Sequence, residues 1–376
     1  MTQMISSDPV PYVDLAAQHA PLKADILAAV EGVLERGDFI LGGAVEAFET
    51  RLAALIGVRF AVGCGNGTDA LQLSLRALDI GPGDEVITPP NSFVASTSCI
   101  RLAGAMPVFV DVDETYNIDP DKIDAAITPR TKAIMPVHLT GRPAHMERIL
   151  AIAAKHQLAI VEDSAQAILA EFDGKKVGST GTLGCFSLHP LKTLNACGDG
   201  GVVTTNDEKL ATRLRILRNL GLQTRDDCAE WSVNSRLDTL QAAILLVKLD
   251  HLEAWTDARR ANAARYRRLL ANVPGLTLPT DSPRERQVYH TFVVQAERRE
   301  ALRAYLSERG IGTSVHYPVP IHLHTAAREL GHERGAFPVT ERQADRILSL
   351  PVHNTLRPDQ LDRVAATIRE FYEESR

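Results

Sequence analysis

Lys192 sits in the stretch FSLHPLKTLNACGDGG, residues 186–201, after an apolar strand-like run (181–188) and before the turn Gly198-Asp199-Gly200-Gly201. A second strand-like run, 201–205, follows the turn. Pro190 disfavours helix at His189, which puts Lys192 on a loop leaving a strand. The glycines let backbone pass close to something bulky. A lysine on a loop is ordinarily a solvated charge. Held in a partly desolvated site, its amine loses the proton more easily and can attack a carbonyl to form a Schiff base.

Three other places bear on that lysine. Asp163 ends the apolar run LAIVED (158–163) and is followed by Ser164-Ala165-Gln166. It either caps the next helix or salt-bridges a ligand cation where the strands of an α/β sheet end. The run FAVGCGNGTDAL (60–71) takes a strand into glycines and then into a helix at 70–78. Free N–H groups and the dipole at a helix start attract anions. The spacing is neither G-x-G-x-x-G nor a Walker loop, so a plain glycine turn stands as the other reading. Phe93 follows a short strand closed by Pro89-Pro90, at the level where α/β ligand sites lie, although a lone Phe is more often core. A lysine, a carboxylate, an anion site and a flat ring are together what pyridoxal phosphate requires for its aldehyde, ring nitrogen, phosphate and ring face.

The elements that must position these groups alternate. Strand-like runs at 85–88, 107–110, 133–138, 158–163 and 181–188 are separated by helical periodicity at 70–78, up to about 104, 118–126 and 146–156. Earlier helices are expected at 21–36 and 45–56, separated by a turn holding Gly42-Gly43, and later ones at 207–220, 238–254 and 257–273. The last has an arginine-rich face that reads as solvated. Such alternation implies an α/β fold, a mostly parallel sheet flanked by helices. Beyond it, a strand (289–295), a helix (300–309), a strand (313–317), a Pro/His loop and a helix (358–372) form a smaller C-terminal α+β module. The expected division is 1–252 for the large domain with its N-terminal segment, and 253–376 for the small one. His316, His322 and His324 lack acidic or Cys companions at suitable spacing, so no metal is expected.

Composition narrows the classes. A chain of 376 residues has room for one large domain and a smaller one. Hydrophobic content of 45% and charged content of 23% are ordinary for a globular enzyme. A net charge of −6 argues against binding nucleic acid through broad electrostatics. No apolar run reaches membrane-spanning length, and the opening MTQMISSDP lacks the basic and apolar regions of a secretion leader. The five cysteines are scattered without a CxxC pair, which suggests reduced thiols in a cytoplasmic protein.

With these residues in view, the chain resembles the DegT/DnrJ/StrS family of pyridoxal phosphate-dependent sugar aminotransferases, which have the type I (aspartate-aminotransferase) fold. The likeness runs from Val13-Asp14-Leu15 to Leu350-Pro351 and rests on EDSAQA (162–167), FSLHPLK with GDGG (186–201), NGTDAL (66–71) and NSRLD (234–238). Two local departures are Gly65-Asn66-Gly67-Thr68, where members often carry Ser-Ser-Gly-Thr or Ser-Gly-Thr, and Thr193, where many carry Asn. The resemblance implies that Lys192 holds pyridoxal 5'-phosphate and Asp163 pairs with its ring nitrogen. Phe93 would stack on the ring, Gly67, Thr68 and Ser187 would hold the phosphate, and Gln166 would contact the 3-hydroxyl region. Asn234 would reach the phosphate in the partner's site, which implies a homodimer with shared active sites. The implied amino donor is glutamate and the acceptor a nucleotide-linked keto-sugar. The Gly42-Gly43 turn, the loop 316–324 and the segment 234–236 are candidate walls for that acceptor, with Arg236 a candidate for its diphosphate. Three alternatives stand beside this reading. Sugar dehydration is one, though dehydrating relatives carry histidine in place of the lysine. General amino-acid transamination is another, and it would need a fixed cation for the acceptor's carboxylate. The third is a non-catalytic regulator on the same fold.

Overall fold

The structure is a computed structural model and describes residues 8–374. Most of the opening read as lacking a leader, residues 1–7, lies outside them. In chain order the elements are α1 (Leu15–His19), α2 (Lys23–Arg36), α3 (Gly43–Ile56), β1 (Phe60–Cys64), α4 (Gly67–Ala77), β2 (Glu85–Thr88), α5 (Ala95–Leu102), β3 (Met106–Phe109), α6 (Ile123–Ala126), β4 (Thr131–Ile134), α7 (Met146–His156), β5 (Ala159–Asp163), β6 (Leu183–Ser187), β7 (Gly201–Thr205), α8 (Glu208–Leu217), α9 (Thr239–Leu249) and α10 (Leu252–Leu269). There follow β8 (Leu276–Thr277), β9 (Phe292–Ala296), α11 (Arg299–Glu308), α12 (Pro338–Arg346), β10 (Ile347–Leu350) and α13 (Pro358–Glu373).

β1 to β7 make one sheet in the order β1-β7-β6-β5-β4-β2-β3. β7 runs antiparallel to both β1 and β6, and every other neighbouring pair is parallel. Helices cover the sheet, so its strands are apolar without alternation: β2 and β7 are buried at every position. α3 shows how a flanking helix forms. Val45, Phe48, Leu52, Ala53 and Ile56 line its buried side, and Gly57 ends it in the left-handed region.

A second core lies in the C-terminal part. Ala263 and Tyr266 of α10 pack there with Phe292, Val294, Leu348, Leu350, Val364 and Ile368. Val10 belongs to this core, and Leu252 at the start of α10 belongs to the core of the large sheet. α10 therefore passes from one core to the other.

Several expected elements differ in the structure. The expected strand 313–317 is reduced to a single bridge, Ser314 to Ser349. β9 pairs with β8 on one side and with β10 on the other, and β10 follows α12 without a loop. The expected helix 118–126 keeps only α6 and a 3-10 turn at Pro120–Lys122. The break between α9 and α10 falls at Asp250-His251 rather than near 254, with no glycine or proline to mark it. The arginine face of α10 is not wholly solvated, since Arg259 is buried.

β5 carries the first testable consequence. Glu162, next to Asp163, is fully buried. It accepts from the amides of Gly178 (2.8 Å), Thr180 (3.0 Å) and Gly181 (2.5 Å), and its Oε2 lies 3.0 Å from His138 Nε2. Burial alone would raise its pKa. The His138 ring and the Gly178 and Gly181 amides outweigh burial and hold it below the usual carboxylate range. With the folded pKa below the unfolded one, the stability this group contributes is complete above about pH 5 and is lost as pH falls through the folded value. Glu162→Gln should cost about 2–4 kcal/mol at pH 7. Urea unfolding of both proteins at pH 7 and in mild acid should show that gap narrowing in acid. A gap independent of pH would contradict the linkage.

Candidate active site

β1, β5 and β6 are parallel, so their carboxyl ends open on one side of the sheet, and the reversed β7 begins there too. Gly201 pairs with Cys64 on one flank and with Ser187 on the other. The loops after β1, β5 and β6 thus share one mouth.

The loop after β1 turns directly into α4, which begins at Gly67 rather than at the expected residue 70. Asn66 is its N-cap: its side-chain oxygen accepts from the Asp69 amide at 2.9 Å. The Gly67 and Thr68 amides in the first turn have no protein acceptor among the described residues. Packing here demands glycine. A Cβ on Gly67 would lie 2.6 Å from the Ser187 Cβ, and one on Gly201 would overlap the Asn66 carbonyl. Gly67 and Ser187 therefore meet, and Thr68 follows Gly67 in the same helical turn.

Asp163 is 5% exposed. Its Oδ2 accepts from Ser96 Oγ at 2.7 Å and its Oδ1 from the Ala165 amide at 3.2 Å. Burial raises its pKa, opposed by those two donors and by Lys192. The amine of Lys192 shows the converse: burial pulls it down to about 8, and the Asp163 carboxylate opposes the fall. The loop that carries Lys192 is tied from behind. Asn195 Nδ2 donates to the Lys192 carbonyl at 2.9 Å, while Asn195 Oδ1 accepts from the fully buried Lys248 at 2.7 Å. Lys248 also donates to the Asn195 carbonyl at 2.8 Å and lies 2.8 Å from His19 Nε2.

Gln166 is fixed at both ends. Its Oε1 accepts from the Thr140 amide at 2.8 Å, and its Nε2 donates to Tyr317 Oη at 3.2 Å. Phe93 stands beside Tyr317, ring centroids 5.7 Å apart, with 55% of its surface open. Asn234 is not brought in. It stays exposed, its backbone bridged to Asn219. The next residue, Ser235, is bound to the loop after β1: it donates to Asp69 at 2.6 Å and accepts from the Gly65 amide at 3.0 Å. Arg236 donates to Asn219 Oδ1 at 2.9 Å. The loop histidines have separate partners: His316 Nδ1 lies 2.9 Å from Ser349 Oγ, His322 Nε2 lies 3.0 Å from Glu341 Oε1, and His324 Nε2 lies 3.1 Å from the Val319 carbonyl. Sequence reading did not single out Ser96, Asn195 or Lys248, which carry no motif of their own. Tyr317 had a signal in its His-Tyr-Pro setting.

These groups suit pyridoxal phosphate on chemical grounds. A buried carboxylate whose charge is disfavoured by burial gains from a cationic ring nitrogen. An amine lowered to about 8 can meet an aldehyde near neutral pH. Unpaired amides at a helix start, beside a serine, suit a phosphate. An open aromatic face suits a planar ring.

The model of the DegT/DnrJ/EryC1/StrS aminotransferase family matches residues 21–369. Over 368 residues the chain is 45% identical to the UDP-N-acetyl-3-dehydro-alpha-D-glucosamine 3-aminotransferase of Acidithiobacillus ferrooxidans, covering 97% of this chain and 99% of that one. Over 374 residues it is 43% identical to the dTDP-3-amino-3,4,6-trideoxy-alpha-D-glucose transaminase of Streptomyces venezuelae, 99% of each chain. The crystal structure of S. venezuelae DesV in complex with a ketimine intermediate matches with a TM-score of 0.95 at 44% identity, over 97% of this chain and 99% of that one. The match runs from the entry to α2 as far as α13 and takes in both the sheet and the second core, so the chain belongs to the DegT/DnrJ/EryC1/StrS aminotransferase family.

Proposed function

We propose that this aminotransferase moves an amino group from glutamate to a nucleotide-linked keto-sugar, in a homodimer with shared active sites. The observation that carries the reading is the pair Lys192 and Asp163: an amine lowered to about 8 beside a buried carboxylate, at one mouth of the sheet. The relatives named as nucleotide-sugar transaminases support the acceptor class. When bound, pyridoxal phosphate supplies an electron sink for the carbon that carries the donor's nitrogen. Lys192 holds the cofactor by its aldehyde. Its free amine would be the base that takes and returns the proton at that carbon. Asp163, steadied by Ser96 and the Ala165 amide, keeps the ring nitrogen protonated. Phe93 covers a ring face, Gln166 holds the 3-hydroxyl side, and Gly67, Thr68 and Ser187 hold the phosphate.

The remaining contact is assigned to Asn234 of the partner subunit. Exposed apolar side chains support a covered face there. Trp231 is 86% exposed and Val233 43%, and Phe39 and Ile40 are open on a segment bridged to Asp238. The passage of α10 between two cores supports a division of the chain near 252/253. Five free cysteines suit a reducing cytoplasm, and among the described residues no helix is long and apolar enough to cross a membrane.

Product analysis tests the reading. Holoenzyme is incubated with nitrogen-15-labelled glutamate and a panel of nucleotide-linked 3-keto and 4-keto sugars, with pyruvate and oxaloacetate as controls. Mass spectrometry should find the label in an amino-sugar nucleotide. Fast turnover of the simple keto acids with no labelled sugar would instead place the protein among general amino-acid aminotransferases.

A further inference from the structure

Beside Lys192, on the flank formed by the second core, lies a cavity of about 40 Å³. Its lining includes Tyr12, Leu191, Arg259, His290, Thr291 and His316. Three side-chain atoms of these residues are buried without a hydrogen-bond partner: Arg259 Nε, His290 Nδ1 and Thr291 Oγ1. Buried polar atoms are nearly always satisfied, so three orphans around one small cavity call for an occupant. The volume exceeds the roughly 10–15 Å³ that a single water needs.

Charge decides what kind of occupant. Arg259 is 6% exposed, and its Nη1 donates only to the carbonyls of Tyr289 (3.4 Å) and His290 (3.2 Å). No carboxylate pairs with it among the described residues. Burial lowers its pKa to about 10, so it stays charged at neutral pH. His290 is held well below its usual pKa by burial and by the charges of Lys192 and Arg259, and is therefore neutral. A neutral imidazole can present an N–H at Nδ1, and Thr291 can donate its hydroxyl. Water would satisfy these donors, but it would leave the guanidinium without a counter-charge in a low-dielectric site. An anion does both.

Position decides which anion. Leu191 lines the cavity and the Lys192 amine follows it in the chain; the charge of that amine depresses both His290 and His316. An α-amino acid carries its carboxyl carbon only about 2.5 Å from its nitrogen. The carboxylate of a donor whose amine takes the place of the Lys192 amine must therefore lie close to that lysine, and among the described residues that line this cavity the unpaired guanidinium of Arg259 is the cation on offer there. We infer that the Arg259–His290–Thr291 cavity is the subsite for the α-carboxylate of the amino donor. This inference rests on the amino-acid donor of the proposed reaction.

The test separates the two halves of turnover in the holoenzyme, each followed by the cofactor's absorbance. Arg259→Met should raise the half-saturating glutamate concentration about 100-fold. The return half, from aminated enzyme to keto-sugar, should change less than about threefold. Arg259→Lys should fall between the two. 4-Aminobutyrate, which lacks the α-carboxylate, should be a poor donor for wild type and no poorer for Arg259→Met. Equal loss in both halves, or an unchanged glutamate response, overturns the assignment. Should the variants fail to fold, formate added to wild type should compete with glutamate and leave the sugar half untouched; absence of competition also overturns it. If wild type responds to no amino acid, the proposed reaction has failed. Bromide-soaked crystals then decide the cavity alone. An anomalous peak within hydrogen-bonding distance of Arg259 Nε keeps it as an anion site, and none removes it.

Discussion

Lys192→Ala should leave a folded protein whose turnover is lower by about 10³–10⁴-fold. The fold should survive because the Lys192 side chain makes no hydrogen bond among the described residues; its hydrogen bonds are those of its backbone, which the alanine keeps. Activity should not survive, because among the described residues Lys192 is the lysine whose charge acts on Asp163. Lys248, which supports the same loop, is fully buried and bound to the Asn195 carbonyl and side chain. Two measurements separate a lost base from a damaged fold. Borohydride reduction of the wild-type holoenzyme followed by peptide mapping should put the pyridoxyl mass on the peptide carrying Lys192, and a label on another lysine ends the assignment. Capture of pyridoxal phosphate by the apoprotein should also depend on pH with a definite sign. The deprotonated amine is the nucleophile, and burial has lowered its pKa to about 8. Capture should therefore quicken by about tenfold between pH 7 and pH 9, whereas an ordinary lysine near 10.4 would still be gaining rate well beyond pH 9.

What sequence made legible follows from how each residue signals. Asp163 closes an apolar run and Lys192 follows one closely, ahead of a glycine turn, and such breaks are visible without structure. The parallel sheet was legible for a related reason: strands buried on both faces read as short apolar runs spaced by helical periodicity. β10 was not legible because it follows α12 without a loop and has only four residues to declare itself. The bridge at Ser314 stands where the alternation suggested a strand, but only that residue finds a partner. Buried polar residues were the least legible. Lys248 looks like the wet edge of α9 and is wholly enclosed, and Arg259 looks like part of a solvated basic stripe and is buried over a cavity. In both cases the side chains that surround the charge come from distant parts of the chain, which helical periodicity does not report. Ser96 is similar: nothing near it in sequence announces the Asp163 carboxylate it serves.

Mixing two inactive proteins should restore activity, and the amount restored bears on Asn234. In the single chain Asn234 is exposed and makes no side-chain hydrogen bond among the described residues, while its neighbour Ser235 is fastened to Gly65 and Asp69 in the loop after β1. That exposure, next to exposed Trp231 and Val233, is what the proposed reach into a second copy requires. Asn234→Asp would set a carboxylate against a phosphate and lose a hydrogen bond at once, so the homodimer of this variant should be strongly impaired. The Lys192→Ala protein would lack the proposed base. If Asn234 serves the partner's site, a dimer of one chain of each kind has one site with both defects and one with neither. Random re-pairing of equal amounts makes about half of the dimers mixed, each with one intact site, which gives about a quarter of wild-type activity. If Asn234 serves its own site, every site in the mixed dimer carries a single defect and mixing restores nothing. The measurement needs subunits to exchange. Differently tagged wild-type chains, mixed and isolated through both tags in sequence, establish that exchange first. With exchange shown, a return to about a quarter supports the shared site, and a flat response places Asn234 outside the partner's chemistry.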